Sequence, residues 1–236
     1  MDKMRIALLG GAGRMGRAIK ALADCQDFPP REDGAADVLI DFSSPEGTAE
    51  AAAYCQEHGI PLVTGTTGLD DDQQAAVREA SRHVPIVQSG NMSLGIALLQ
   101  RLVAEAARSL EGFDIEILET HHRYKKDSPS GTALLLGEAA ARARGTALSE
   151  AARFERHGRD DERRAEEIGF AVRRGGGVYG EHDVSFLGEG ETVSLSHTAL
   201  GRDAFARGAL AAARWVIGKE PGLYGMGAVL GLDPER

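Results

Sequence analysis

At 236 residues the chain can bury a substantial core in one or two domains, and 27 Lys plus Arg against 36 Asp plus Glu leave it a formal net charge of -9. That acidity disfavours roles driven by nucleic-acid phosphate or anionic lipid and points to small-molecule partners. The two cysteines, Cys25 and Cys55, have no CxxC or Cys/His ligand spacing, so neither a disulfide scaffold nor a zinc site is expected.

The apolar run in MDKMRIALLGGAG is too short for a signal sequence, and no stretch approaches the ~20 apolar residues that span a bilayer, so a soluble cytoplasmic protein is expected. Arg5 to Leu9 reads as a buried strand and Arg14 to Ala23 as a helix. Val38 to Phe42 is a second strand, followed by a helix from Pro45 to His58 that Gly59 closes. Pro61 to Thr64 is a short strand, Asp70 opens a helix with Gln73 as its capping-box partner, and Val84 to Gln88 is a further strand. This alternation predicts a parallel sheet with helices on its faces. Ser93 then caps a longer helix with Leu99, Leu102, Val103, Ala106 and Leu110 on one face, ended by Gly112.

Beyond Gly112 the pattern changes to period two. Phe113 to Thr120, Ile168 to Val172 and Asp183 to Leu187 alternate, and Thr192 to Ser196 follows across the turn GEGE. Such strands predict a mixed sheet in a second domain. Ala133 to Arg144 reads as a helix within it, and Ser149 to Glu167 as a solvated, charge-rich excursion around a short strand at Arg153 to His157. Asp203 to Ile217 closes as a helix with Phe205, Ala209, Ala212, Ala213 and Val216 on its apolar side. The expected division is a dinucleotide-binding domain, 1–92 with 213–236, and a substrate and oligomerisation domain, 93–212; the apolar tail LYGMGAVLGL needs the first as its partner.

Three loops carry a binding signature. Glycines at 10, 13 and 16 follow the first strand and open the first helix, which gives a tight turn, close approach to a pyrophosphate and a helix dipole facing it. The spacing is GxxGxxG rather than the usual GxGxxG, so it indicates a dinucleotide without naming an enzyme. Gly65 to Gly68 (GTTG) and Ser89 to Ser93 (SGNMS) lie at the ends of later strands, where ligands of an open parallel sheet gather, and Thr66, Thr67 and Asn91 offer hydrogen-bond partners there.

The densest chemistry is ETHHRYKKDSPSGT, Glu119 to Thr132. Any one of these residues alone is more often packed or solvated than catalytic. Together they combine a histidine able to supply a proton, the point charge of Lys125, and Ser130 as a helix N-cap whose next residues, Gly131 and Thr132, present backbone N–H groups to a carboxylate. Asp127 beside Ser128 and Pro129 is expected to shape the turn, Glu119 either to orient a neighbour or to face solvent, and Arg202 to help meet a substrate carboxylate.

VLIDFSSPEGT, GTTG, SGNMSLG, ETHHRYKKDSPSGTA and GEHDVSF, in that order, resemble the dihydrodipicolinate reductases of bacterial lysine and diaminopimelate biosynthesis over nearly the whole chain. The resemblance implies reduction of 4-hydroxy-tetrahydrodipicolinate, a cyclic dicarboxylate, to tetrahydrodipicolinate by NADH or NADPH in a cytoplasmic homotetramer built on the substrate-domain sheet. It implies His121 as proton donor, Lys125 as a second catalytic group, His122 as a substrate-binding residue, and Gly131 and Thr132 as the carboxylate clamp. It places the cofactor on Gly10, Gly11, Ala12, Gly13, Arg14 and Met15, on Gly65, Thr66 and Thr67, and on Ser89, Gly90, Asn91 and Met92, with no metal. Another two-domain NAD(P) oxidoreductase of amino or keto acids, or a catalytically silent NAD(P) sensor, are the rival readings; a sensor has no use for the His121, His122 and Lys125 set.

One region departs from the family. Between the first helix and VLIDF only Asp24 to Asp37 intervene, with Pro29 and Pro30 against a central strand. Glu32 and Asp33 fall roughly 20 residues beyond the glycines, the spacing of a ribose-binding acid, but no strand is expected to aim them. Arg14 and Arg17 could attract a 2′-phosphate only weakly, so little discrimination between NADH and NADPH is expected.

Overall fold

A computed structural model describes residues 4–30, 36–158 and 162–232, so Glu32 and Asp33 lie outside the described residues. The chain divides into two compact units, 1–94 with 202–236 and 95–201.

The first unit is a Rossmann-like layer in which every strand pairing is parallel, in the order β11-β5-β4-β3-β1-β2. Its strands are β1 (Ile6–Leu9), β2 (Cys25–Asp27), β3 (Val38–Asp41), β4 (Leu62–Thr64), β5 (Pro85–Gln88) and β11 (Gly222–Tyr224). Continuous burial of Val38, Leu39 and Ile40 is what a strand covered on both faces requires. The crossovers are α1 (Arg14–Lys20), α2 (Pro45–His58) and α3 (Asp71–Ala80). Ser44 caps α2, Gly59 closes it in the left-handed conformation (φ 66°), and Asp70 with Gln73 forms a complete capping box on α3.

Two expectations need correction here. A strand does follow α1: β2 pairs in parallel with β1, Ile6 opposite Cys25 and Leu8 opposite Asp27. It is only three residues long and lies at the sheet edge, where the prolines that follow break no ladder on a far side. Helix α7 (Asp203–Val216) also belongs wholly to the first unit instead of being divided at residue 212, because Ala206, Ala209, Ala212, Ala213 and Val216 are all buried on it and β3, β4 and β5 pack against it. The apolar tail adds β11 beside β5 and a short α8 (Met226–Val229).

The second unit is a mixed sheet, order β10-β9-β6-β8-β7, with β6 (Asp114–His121) at its centre. Strands β7 (Ala152–Arg153) and β8 (Ile168–Arg174) run parallel to it on one side, and β9 (Gly180–Leu187) and β10 (Thr192–Ala199) form the antiparallel ladders on the other. Ile115, Ile117, Glu119 and His121 point to one buried face, which packs with helices α4 (Leu94–Ser109) and α5 (Gly131–Ala143) around a core including Val103, Leu136, Val184 and Phe186.

Leu102 is 43% exposed, contrary to the expected apolar face of α4; Ile96, Leu99, Val103 and Ala107 form the buried stripe. The charge-rich excursion is largely exposed among its described residues, as expected, but its short strand is displaced and its arginines tie it to the sheet. After a short α6 (Leu148–Ala151), only Ala152–Arg153 is strand among the described residues of the segment, and Arg156 pairs with Glu116 while Arg163 pairs with Asp114 and Glu116, pinning the segment across β6.

Arg144, just past α5, closes the C-terminus of α4 by donating to the carbonyls of Ala107, Leu110, Glu111 and Phe113 at 2.5–3.0 Å. These carbonyls lie at and just beyond the last turn of α4, where helical donors run out, so Arg144→Ala removes several donors at once, although Leu110 keeps the Phe113 N–H at 3.0 Å. It is expected to cost on the order of 2 kcal/mol, or about 4–8 °C in Tm by calorimetry; an unchanged Tm would show that water replaces the guanidinium without loss.

Candidate active site

In the first unit, the three loops emerge at the C-terminal ends of β1, β4 and β5. Gly10 has φ 82°, and a Cβ there would run into the carbonyl of Phe42, so only glycine fits the turn. Gly16 is closed in the same way by Gly10 and Gly11, which seats α1 directly on the loop. No side chain caps α1 at Gly13, so its early N–H groups face the ligand end of the strand as a phosphate cradle requires.

Asp41, at the end of β3 and fully buried, organises the neighbouring loop. It accepts from the backbone and hydroxyl of Ser43 (3.0 and 2.5 Å), and from the hydroxyls of Thr48 (2.5 Å), Thr64 (2.8 Å) and Thr66 (3.0 Å). Thr66 Oγ1 also accepts from the Ser43 N–H at 3.1 Å. The Thr66 side chain therefore holds the loop, and what the loop can offer a ligand is main chain and Thr67. The next loop is tied by Ser89 Oγ donating to the Asn91 carbonyl and by the Ser93 N–H donating to Asn91 Oδ1. Gly208 of α7 packs on the Met92 carbonyl, with no room for a Cβ.

Asp27, which sequence reasoning passed over, ends β2 beside this cradle. A Cβ on Gly11 would stand 2.8 Å from Asp27 Oδ1 and 2.9 Å from Lys20 Nζ, and the two side chains pair at 2.6 Å. The signal was present in the spacing of Asp27 beyond the glycines, but a three-residue strand before two prolines hid it. Arg17 is committed to the loop, donating to the Ala12 carbonyl, while Arg14 is exposed.

In the second unit a buried network joins β6, β8, β9 and α5. Glu119, 1% exposed and so not facing solvent, accepts at Oε1 from the Ser130 N–H (3.0 Å) and Arg174 Nη2 (2.8 Å), and at Oε2 from Arg174 Nη1 (3.0 Å) and His121 Nδ1. Burial pushes this carboxyl up, but Arg174 and His121 outweigh it and hold it below the usual range. Burial conversely pushes His121 down, against the raising effect of Glu119. Ser130 caps α5 through Ala133 N–H and shares a 3.1 Å hydrogen bond with His182 Nε2. His182 is the cross-strand partner of Glu119, its ring edge-on to His121.

Lys125 is paired with both oxygens of Asp127 (2.9 and 2.8 Å), so Asp127 anchors the lysine as well as the turn. His122 Nδ1 is shielded without a hydrogen-bond partner among the described residues. Gly131 and Thr132 form the first turn of α5, while Arg202 belongs to the first unit. Arg174 and His182 were missed because neither lies in the dense segment; only the strand register brings Arg174 opposite His121 and His182 opposite Glu119. Ligand atoms of Glu119, His121 and His182 lie within 4.8 Å of one another, a spacing that could hold a cation, but Arg174 occupies both Glu119 oxygens and its charge opposes one. Among the described residues no helix is long and apolar enough to cross a membrane.

Comparison with known proteins supplies an independent line. Residues 25–92 match the family model for the N-terminus of dihydrodipicolinate reductase and residues 95–230 that for its C-terminus. A 4-hydroxy-tetrahydrodipicolinate reductase of Rhizobium meliloti (strain 1021) is 50% identical over 227 residues, covering 95% of this chain and 81% of that protein. One from Myxococcus xanthus is 52% identical over 199 residues, covering 84% and 73%. A dipicolinate-bound dihydrodipicolinate reductase from Paenisporosarcina sp. TG-14 shares the fold, with TM-score 0.78 at 22% identity over 95% of this chain and 98% of that one.

Burial, with the nearby charge of His121, holds His182 down to about 4 from an ordinary 6.5. Between those values the unfolded chain binds a proton that the folded chain refuses, so stability rises with pH. This contribution is complete above pH ~6.5 and is lost as pH falls toward 4, on the order of 3 kcal/mol in all. Unfolding free energies at pH 7 and 4.5 should therefore converge more for His182→Gln than for the native chain, and equal slopes would contradict the assignment.

Proposed function

We propose how this chain, which belongs to the dihydrodipicolinate reductase family, carries out its reaction with its own residues. It reduces 4-hydroxy-tetrahydrodipicolinate to tetrahydrodipicolinate in lysine and diaminopimelate biosynthesis with a nicotinamide cofactor. The product lacks the ring hydroxyl at the same level of ring hydrogenation, so water leaves and one hydride and one proton are added. The reduced nicotinamide supplies the hydride when bound; the protein must supply the proton and hold the ring.

His121 is the proton donor in this reading. The observation that carries it is one buried face of β6 where an imidazole on a carboxylate adjoins the N-terminus of α5. Gly131 and Thr132 offer backbone N–H groups, and Lys125 a positive charge, to the carboxylates of the cyclic substrate. His122, with its unpartnered Nδ1, binds substrate beside them. The unit 95–201 is thus the substrate domain.

The other unit is the dinucleotide domain, with Gly10 to Met15 on the pyrophosphate and the loops Gly65 to Thr67 and Ser89 to Met92 on the nicotinamide half. Asp27 at the end of β2 stands where an acid meets the adenosine ribose, and Lys20 beside it can instead turn to a 2′-phosphate. A carboxylate and an ammonium that neutralise one another in the free protein favour acceptance of both NADH and NADPH. Assembly is proposed as a cytoplasmic homotetramer through the substrate-domain sheet, whose Val172, Leu187 and Val193 are exposed.

With synthase-generated substrate and NAD(P)H absorbance as readout, His121→Ala and Lys125→Ala should each lower kcat by about 10²- to 10⁴-fold with dinucleotide binding nearly unchanged. Near-native turnover of His121→Ala would remove it as the proton donor. The kcat/KM ratio for the two cofactors should stay under about tenfold, or about 1.4 kcal/mol. Asp27→Ala should shift that ratio toward NADPH and Lys20→Ala toward NADH; no shift in either variant would place the adenosine end elsewhere.

A further inference from the structure

We infer that Glu119 is a positioning residue, anchored by Arg174, that locks His121 into one tautomer, with Nδ1–H given to the carboxylate and Nε2 left as the nitrogen that exchanges the proton. The inference rests on His121 being the proton donor and assigns which atom acts and what aims it.

The geometry fixes the direction of each hydrogen bond. Arg174 can only donate, and it reaches both oxygens of Glu119; the Ser130 N–H can only donate, and it reaches Oε1. A carboxyl surrounded by these groups is ionised and acceptor-only, so the remaining contact at Oε2 must be a proton carried by His121 Nδ1. Nε2 is then the free position in the neutral ring and the donor in the charged one. It faces Gly180, where a Cβ would stand 3.0 Å from it, so the absence of a side chain at that residue keeps Nε2 uncovered.

The arrangement is rigid for a structural reason. Glu119 and His121 are two residues apart on the central strand, and each neighbouring strand contributes one group, Arg174 from β8 and His182 from β9. The other charged groups around His121 are Lys125 and Arg174, both of which oppose its charging, while Glu119 favours it. Asp127, held by Lys125 and carrying the Arg174 bond on its carbonyl, is a further acid in this network. Removing the Glu119 charge therefore leaves two cations and no counter-ion in contact with the ring. Moreover, an amide at this position must turn its NH₂ toward a donor; with Arg174 and Ser130 fixed, the least obstructed place is against Nδ1, which forces the opposite tautomer.

Two measurements test this. Nitrogen-15 spectra of ring-labelled histidine in the native protein, above the His121 titration, should show Nδ1 protonated and Nε2 bare; the reverse would overturn the assignment without any variant having to fold. Glu119→Gln should lower kcat by about 10²-fold or more while leaving the KM for the dinucleotide unchanged. Because the acid must be protonated to act, activity falls as pH rises through the His121 pKa, and in Glu119→Gln that fall should move to lower pH. Native kcat and an unmoved pH limb in Glu119→Gln, alongside a His121→Ala enzyme that has lost turnover, would defeat the positioning role alone. Native turnover in His121→Ala would instead defeat the reading beneath it.

Discussion

The buried carboxylate of Glu119 is the point on which the second unit turns. Its oxygens receive hydrogen bonds from the adjoining strand through Arg174, from the start of α5 through Ser130, and from His121 on its own strand. A charge so far from water is stable only when every lone pair is occupied, and losing any donor would leave part of that charge uncompensated. The same contacts place an imidazole beside a helix N-terminus. Stability of the fold and geometry of the chemistry are here one set of bonds.

The first unit repeats the device with a different purpose. Asp41 ends β3, is equally buried, and is satisfied by the hydroxyls of Thr48, Thr64 and Thr66 and by Ser43. These partners come from the loop after β3, the first turn of α2, the end of β4 and the loop beyond it, so the carboxylate binds the GTTG loop to the sheet without presenting its charge to a ligand. What the loop exposes is then backbone and small side chains, which suits a flat ring and a ribose. Both units thus use an acid at the C-terminal end of a strand to freeze a loop that would otherwise sample many conformations, at a cost of about 1–2 kcal/mol per residue ordered.

The parallel layer was legible because its signals are local. Apolar runs such as VLID, the Asp70 and Gln73 box and the Gly59 stop each act within a few residues of chain, and so does the Ser130 cap. Where a reading failed, a non-local term had decided the outcome. Leu102 is apolar but faces outward because the stripe that meets the sheet is set by Ile96, Leu99 and Val103. Strand β2 has almost no pattern of its own and exists because β1 offers an unpaired edge. The charged excursion is exposed as expected, but the extent of its strand is not, because acids of β6 some 40–50 positions earlier hold it, with Arg156 and Arg163 reaching Glu116 and Asp114.

The candidate site divides along the same line. His121, His122, Lys125 and Ser130 to Thr132 stand within one segment, so a strand end, a loop and a helix start were enough to suggest an acid beside an anion clamp. Glu119 could be named but not assigned, since a carboxylate at a strand end faces core or solvent according to which residues lie across from it. Sequence by itself determined the two layers, the glycine-rich turn after β1 and the segment that carries the candidate acid, because period, capping and turn chemistry are properties of neighbouring residues. Only the tertiary structure decided that Arg174 and His182 complete the network and that Asp27 sits beside Gly11. Those contacts join residues far apart in the chain, and strand register, a property of the assembled sheet, is what brings them within hydrogen-bonding distance.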